Sequence, residues 1–176
     1  MSNWTYGNSA SSPSVSGNTD SGSVTYSYKG SSESDSSYSS SKPSVPGTYT
    51  VRASISSTSN YYGATCTSNF TIYKASGSVS ISGVSLSYNG SSRNLVSVSG
   101  NTGTMHYSTN MSSWSTSIPT STDAGSWTIY WYMDSSTYYD GISSSSSRYV
   151  TSTISKINPT ITATPTDRGA TYSGSS

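Results

Sequence analysis

The chain has 176 residues, a net charge of +1 and only 9% charged residues. That balance leaves no electrostatic footprint for nucleic acid, and no apolar run approaches the roughly 20 residues of a membrane-spanning helix. Hydrophobic residues make up 30% and serine about 30%, while Leu, Glu and Lys are scarce and Gln is absent, which excludes an α-helical protein. The core is expected to rest on the 16 Tyr, the 4 Trp and a few β-branched residues, since aromatic rings bury large areas each.

Taken in chain order, Trp4-Thr5-Tyr6-Gly7 opens the pattern. Val24-Thr25-Tyr26-Ser27-Tyr28 alternates as a half-buried strand does. Pro43 and Gly47 then mark a turn into Tyr49-Thr50-Val51-Arg52-Ala53-Ser54-Ile55, where apolar residues take every second position. The turn Asn60-Tyr61-Tyr62-Gly63 leads into a last strand, Phe70-Thr71-Ile72-Tyr73-Lys74. Ser78-Val79-Ser80-Ile81-Ser82 reads as another strand, followed by Leu86-Ser87-Tyr88-Asn89-Gly90 and Met105-His106-Tyr107-Ser108. Pro119 and Gly125 precede Trp127-Thr128-Ile129-Tyr130-Trp131-Tyr132, with Trp127, Ile129 and Trp131 facing inward. Thr137-Tyr138-Tyr139-Asp140-Gly141 forms the next turn, and Thr153-Ile154-Ser155-Lys156 closes the series.

These landmarks recur. Pro43 matches Pro119, Gly47 matches Gly125, and Tyr49-Thr50-Val51 matches Trp127-Thr128-Ile129. Asn60-Tyr61-Tyr62-Gly63 pairs with Thr137-Tyr138-Tyr139-Asp140-Gly141, and Trp4-Thr5-Tyr6 with Leu86-Ser87-Tyr88. The period, roughly 77–84 residues, suits a small all-β sandwich. The expected organisation is a first repeat over 1–75, a second over 76–156, and the opening of a third over 157–176. The second repeat starts with a strand, Ser78–Ser82, that the first lacks. Ile157, Thr160, Ile161, Thr162 and Ala163 are its counterpart at the other end, followed by Ala170-Thr171-Tyr172-Ser173-Gly174.

The segments W-T-Y-G, V-T-Y-S-Y-K-G, K-P-S-V-P-G-T-Y-T-V-R-A and N-Y-Y-G-A-T-C-T-S-N-F-T-I-Y-K-A resemble tandem bacterial immunoglobulin-like repeats of surface proteins and adhesins, with related modules on phage virions. Y-S-T-N-M-S-S-W-S-T-S-I-P-T-S-T-D-A-G-S-W-T-I-Y resembles a second subtype of the same repeats. The resemblance covers nearly the whole chain. It implies an all-β fold of two tandem immunoglobulin-like sandwiches, extracellular exposure, and a stalk, spacer or binding role. It brings no catalytic residues with it, and the fold alone hosts many roles.

The residues offer little for chemistry. His106 is the sole histidine and sits within a predicted strand. One His and one Cys exclude a dedicated zinc cage, and the seven carboxylates are scattered, without the spaced oxygen ligands calcium favours. Cys66 has no partner for an internal disulfide. No cofactor, no metal and no enzyme activity are expected. An intramolecular Lys–Asn cross-link is disfavoured too, because Lys74 and Lys156 both end a last strand and Glu33 is the only glutamate.

Two roles remain. The leading one is a structural segment of an extracellular rod, stalk or filament on a bacterial surface, its partners copies of itself or neighbouring repeats. Strand donation between subunits would make such an assembly head-to-tail, with the donor around Ile157–Ala163 and the acceptor face near Trp4 and Tyr6. The alternative is a glycan- or protein-binding module of an adhesin or phage virion, recognising a host surface. Tyr130, Tyr132, Tyr138 and Tyr139 would then form an exposed aromatic surface. No signal peptide is visible at Met1-Ser2-Asn3-Trp4, and that feature is compatible with either location.

Overall fold

The computed structural model describes residues 1–18 and 21–162. Ala163 and the predicted segment Ala170–Gly174 lie outside the described residues. The protein is almost entirely β, with one short 3-10 turn at Asp35–Ser37 as the only helical element among the described residues.

The first half forms one four-stranded sheet. Its strands are β1 (Trp4–Thr5), β2 (Val24–Gly30), β3 (Gly47–Ile55) and β4 (Ala64–Tyr73), in the order β1-β4-β3-β2. β2, β3 and β4 are antiparallel, and β1 joins β4 in parallel, with Trp4 beside Ile72. The second half contains β5 (Ser80–Gly83), β6 (Ser85–Ser87), β7 (Arg93–Asn94), β8 (Val96–Ser99), β9 (Met105–Ser108), β10 (Thr120–Ser121), β11 (Gly125–Met133) and β12 (Tyr149–Ser155). Its main sheet runs β6-β12-β11-β9, and two further pairs, β5–β8 and β7–β10, add to it.

The registers turn the sequence repeat into a structural one. β6 joins β12 in parallel with Leu86 beside Ile154, as Trp4 lies beside Ile72. Gly125 lies opposite Ile154, as Gly47 lies opposite Ile72. Tyr107 faces Trp131, as Tyr26 faces Ala53. The recurring Gly-x-aromatic has a packing cause. A Cβ on Gly47 would sit 3.3 Å from the Tyr49 ring, and one on Gly125 would sit 3.0 Å from the Trp127 ring. In each strand the aromatic side chain folds back over the glycine and covers its bare backbone.

The cores differ. In the second half Leu95, Val96, Met105, Tyr107, Ile129, Met133 and Ile154 are buried together, with Val79, Ile81 and Val98 of the β5–β8 layer packed against them. Two layers therefore cover one apolar interior, as a stable β fold requires. In the first half the buried set is Tyr28, Val51, Phe70 and Ile72, with Met1, Trp4, Tyr26 and Tyr49 around it. Phe70 is its centre: Trp4 stacks on it at 5.3 Å, Tyr49 at 5.6 Å, and Tyr28 meets it edge-on at 6.3 Å.

Candidate functional site

Two features stand out: the joint between the halves, and an uncovered face in the first half. At the joint, the chain leaving β4 runs into the turn after β11. Ala75 N–H donates to the Tyr138 carbonyl at 2.9 Å, and Asp140 N–H donates to the Ala75 carbonyl at 2.8 Å. The Lys74 ammonium donates to the Ser136 carbonyl at 2.7 Å. The Tyr6 ring stacks on Tyr138 at 4.6 Å and meets Tyr139 edge-on at 5.8 Å. Main-chain pairing of this sort fixes direction, and the aromatic stack excludes water around it. Gly77 passes so close that an added Cβ would stand 2.1 Å from the Asp140 carbonyl oxygen.

The turn equivalent to 136–141 in the first half is Thr58–Gly63. Thr58 N–H donates to the Tyr61 carbonyl, as Ser136 N–H donates to the Tyr139 carbonyl. The Thr58 and Ser136 hydroxyls each accept from the N–H three residues on. These bonds align Tyr61 with Tyr139, Asn60 with Tyr138 and Tyr62 with Asp140. The sequence match of Tyr61-Tyr62 with Tyr138-Tyr139 is thus corrected by one position. Tyr61 is 54% exposed and Tyr62 fully exposed.

The uncovered face lies along the first part of β4. Ala64, Cys66 and Ser68 share the side of the sheet that carries Phe70 and Ile72, yet all three are exposed while Phe70 and Ile72 are buried. In the corresponding β12, Val150 is half-buried and Ser152 and Ile154 are buried. The difference is the covering layer. Residues 13–16 correspond to β8, because Gly17 and Gly100 end the two runs with the same left-handed backbone, at φ of 82° and 64°. Glycine adopts that conformation without the steric penalty a Cβ brings. β8 pairs with β5, but residues 13–16 form no strand. A cleft of about 200 Å³ opens there, lined among others by Met1, Val15, Tyr26, Val51, Cys66 and Ser68.

The predicted site residues fall as follows. Trp4 and Tyr6, expected to share an acceptor face, point to different tasks. Trp4 stacks into the core on Phe70, with the Lys42 ammonium 5.4 Å from its ring, while Tyr6 belongs to the joint. Tyr130 and Tyr132 do lie on the side of β11 opposite Ile129, but other rings cover them and both are half-buried. Tyr132 stacks on His106 at 4.4 Å and meets Trp114 edge-on at 4.8 Å; Tyr130 meets Tyr149 at 5.9 Å. Tyr138 and Tyr139 are engaged by Tyr6. Of these four tyrosines only Tyr138 counts as exposed, at 37%. Among the donor residues, Ile157 is 57% and Ile161 83% exposed. Thr160 and Thr162 are exposed beside them, and Ala163 lies outside the described residues.

Titratable chemistry is sparse. Burial raises the Tyr107 phenol above its usual range. Burial also raises Tyr28, with a smaller push from Tyr26, and raises Tyr49, with a smaller push from Glu33. His106 Nε2 lies 2.7 Å from an Asp134 carboxylate oxygen on an exposed rim. Among the described residues no three His, Cys, Asp or Glu side chains come together to share a metal ion, and no helix is long and apolar enough to cross a membrane. No family model, curated protein or solved structure matches the chain.

Proposed function

We propose that the chain is a non-enzymatic structural segment of an extracellular rod, built from tandem immunoglobulin-like sandwiches and displayed on a bacterial surface or filament. The observation that carries the reading is the joint. Ala75 exchanges two main-chain hydrogen bonds with the 138–140 turn, and Tyr6 closes over it. Modules joined by a free linker need no such contact, whereas a spacer that transmits length does. The sparse charge and serine-rich surface suit an inert shaft. The same composition is compatible with a virion protein, the alternative location. A glycan- or protein-binding role draws less support, because Tyr130, Tyr132, Tyr138 and Tyr139 are spent on neighbouring rings.

The test is whether the two halves tumble as one body. Residual dipolar couplings of the intact chain are expected to give one alignment tensor for both halves. Tyr6→Ala combined with Tyr138→Ala should split it into two. Separate tensors in the unaltered chain would remove the basis for a rod.

A further inference from the structure

We propose that Tyr6 and Tyr138 form an oxidative cross-linking site: peroxide-driven one-electron oxidation joins their rings as dityrosine and locks the joint between the repeats covalently. The inference deepens the rod reading and rests on the joint that carries it.

The geometry starts from the backbone. Tyr6 follows β1, and its N–H donates to the Tyr73 carbonyl at 2.9 Å, which ties it to the end of β4. Tyr138 lies in the turn after β11, where its carbonyl accepts from Ala75 N–H at 2.9 Å. The neighbouring Tyr139 N–H donates to the Ser136 hydroxyl. Each ring is therefore carried by fixed main chain, and the two anchors meet through residues 73–75. The ring centroids are 4.6 Å apart with 28° between the planes. Stacking at so small an angle aims the π lobes of one ring at the carbons of the other, and the tilt brings one edge of the pair closer than the centroids. Bond formation needs this alignment, with reacting atoms about 3–3.5 Å apart.

The other tyrosine contacts lack it. Tyr6 meets Tyr139 at 5.8 Å and 85°, and Tyr130 meets Tyr149 at 5.9 Å and 63°. In both, the edge of one ring faces its neighbour and the π lobes do not oppose. Among the described residues Tyr6–Tyr138 is thus the one tyrosine pair stacked face to face. Tyr138 is 37% exposed and Tyr6 is half-buried. An oxidant can reach the pair from solvent, while each ring shields the other from tyrosines of other chains.

The chemistry balances with peroxide as the oxidant. Each phenol gives up one electron and its hydroxyl proton, leaving a phenoxyl radical with spin density on the carbons ortho to the oxygen. A carbon–carbon bond forms between one ortho carbon of each ring. Those two carbons then lose their hydrogens as protons, and the two oxygens regain theirs. The two electrons and two protons released overall break the O–O bond of one hydrogen peroxide and give two waters. The single cysteine leaves the chain no internal disulfide. A dityrosine would serve the same end, holding distant chain positions together and restricting the unfolded state. It would also close the hinge between the repeats.

The test oxidises the intact chain with a haem peroxidase and limiting hydrogen peroxide at several protein concentrations. Intact mass, gel mobility and dityrosine fluorescence are followed, and the cross-linked peptides are sequenced by mass spectrometry. The expected product is a single chain lighter by two hydrogen atoms, its cross-link joining Tyr6 to Tyr138. Its yield should not depend on protein concentration and should exceed that of any other tyrosine pair by about tenfold or more, as a pre-aligned intramolecular reaction does. Oxidation of Cys66 adds oxygen instead and is told apart by mass. Tyr6→Phe and Tyr138→Phe each keep a ring in the stack but should abolish this product, whereas Tyr139→Phe should leave it. The proposal falls if no intrachain cross-link forms while fully exposed Tyr62 is oxidised. It falls equally if the cross-links map to other pairs or join separate chains, or if the product survives Tyr6→Phe. One alignment tensor without a cross-link would sink this site and leave the rod standing; two tensors would remove the rod itself.

Discussion

Phe70 and Ser152 occupy the same place in the two repeats, one beside the Trp4–Ile72 pairing and the other beside Leu86–Ile154. In the first repeat that place holds a ring packed among Trp4, Tyr49 and Tyr28. In the second it holds a buried hydroxyl. Ser152 Oγ accepts from Val84 N–H at 3.1 Å and donates to the Leu95 carbonyl. The reason is the layer above. The β5–β6 turn comes so close that a Cβ on Gly83 would overlap the Thr151 carbonyl, leaving no room for a ring and two main-chain groups to satisfy. Where a second layer covers the sheet, the position becomes a polar tie between layers. Where the described residues supply none, a large aromatic residue builds its own core from one sheet.

The comparison is most severely tested by removing the ring. Phe70→Ala should cost the first repeat about 3–5 kcal/mol, the usual penalty for deleting a buried phenylalanine. That is a large share of the roughly 5–15 kcal/mol that holds a domain folded. Trp4 lies in the first half and Trp114, Trp127 and Trp131 in the second, so fluorescence in denaturant can report each half if Trp4 is replaced by Phe in a control. The first transition should move to lower denaturant while the second stays within about 0.5 kcal/mol, as independent sites do. Equal loss in both would mean the halves share a single core.

A smaller effect is expected at the polar tie. Ser152→Ala strands Val84 N–H and the Leu95 carbonyl in the interior, at about 1–3 kcal/mol. Hydrogen exchange at Val84 N–H should accelerate along with the loss of stability. If the amide stays protected, β5 is held by its pairing with β8 and the core alone, and the tie is incidental.

Much of this arrangement is legible in the residues. The alternation in Tyr49–Ile55 and Trp127–Trp131 located β3 and β11 and their buried sides, because strand parity leaves only two choices. The repeated Pro, Gly and aromatic landmarks anticipated that β1 and β6 would be equivalents. The part Tyr6 plays in the joint was not legible. Tyr6 looked like part of a strand face with Trp4, since nothing local distinguishes a ring packed on its own sheet from one stacked on the next repeat. The turn alignment slipped because Tyr61-Tyr62 and Tyr138-Tyr139 look identical, while side-chain-to-backbone hydrogen bonds at Thr58 and Ser136 set the true register. The cover over Tyr132 did leave a signal: His106 sits directly across from it in the β9–β11 pairing, and facing rings on one side of a sheet pack together.

The finest distinction concerns alkali. Burial raises the Tyr28 and Tyr49 phenols in the first repeat and the Tyr107 phenol in the second. A phenol whose folded-state pKa is raised keeps its proton longer in the folded chain than in the unfolded one. Its contribution is complete below the ordinary value of 10.0 and is lost as pH rises from there through the raised value. Two such phenols burden the first repeat and one the second, and among the described residues the first has no second layer of strands to hold it. Fluorescence from Trp4 should therefore change at lower pH than fluorescence from Trp127 and Trp131, and Tyr28→Phe should narrow the gap by removing one of the three titrations. If the second repeat opens first, the covering layer does not decide alkaline stability.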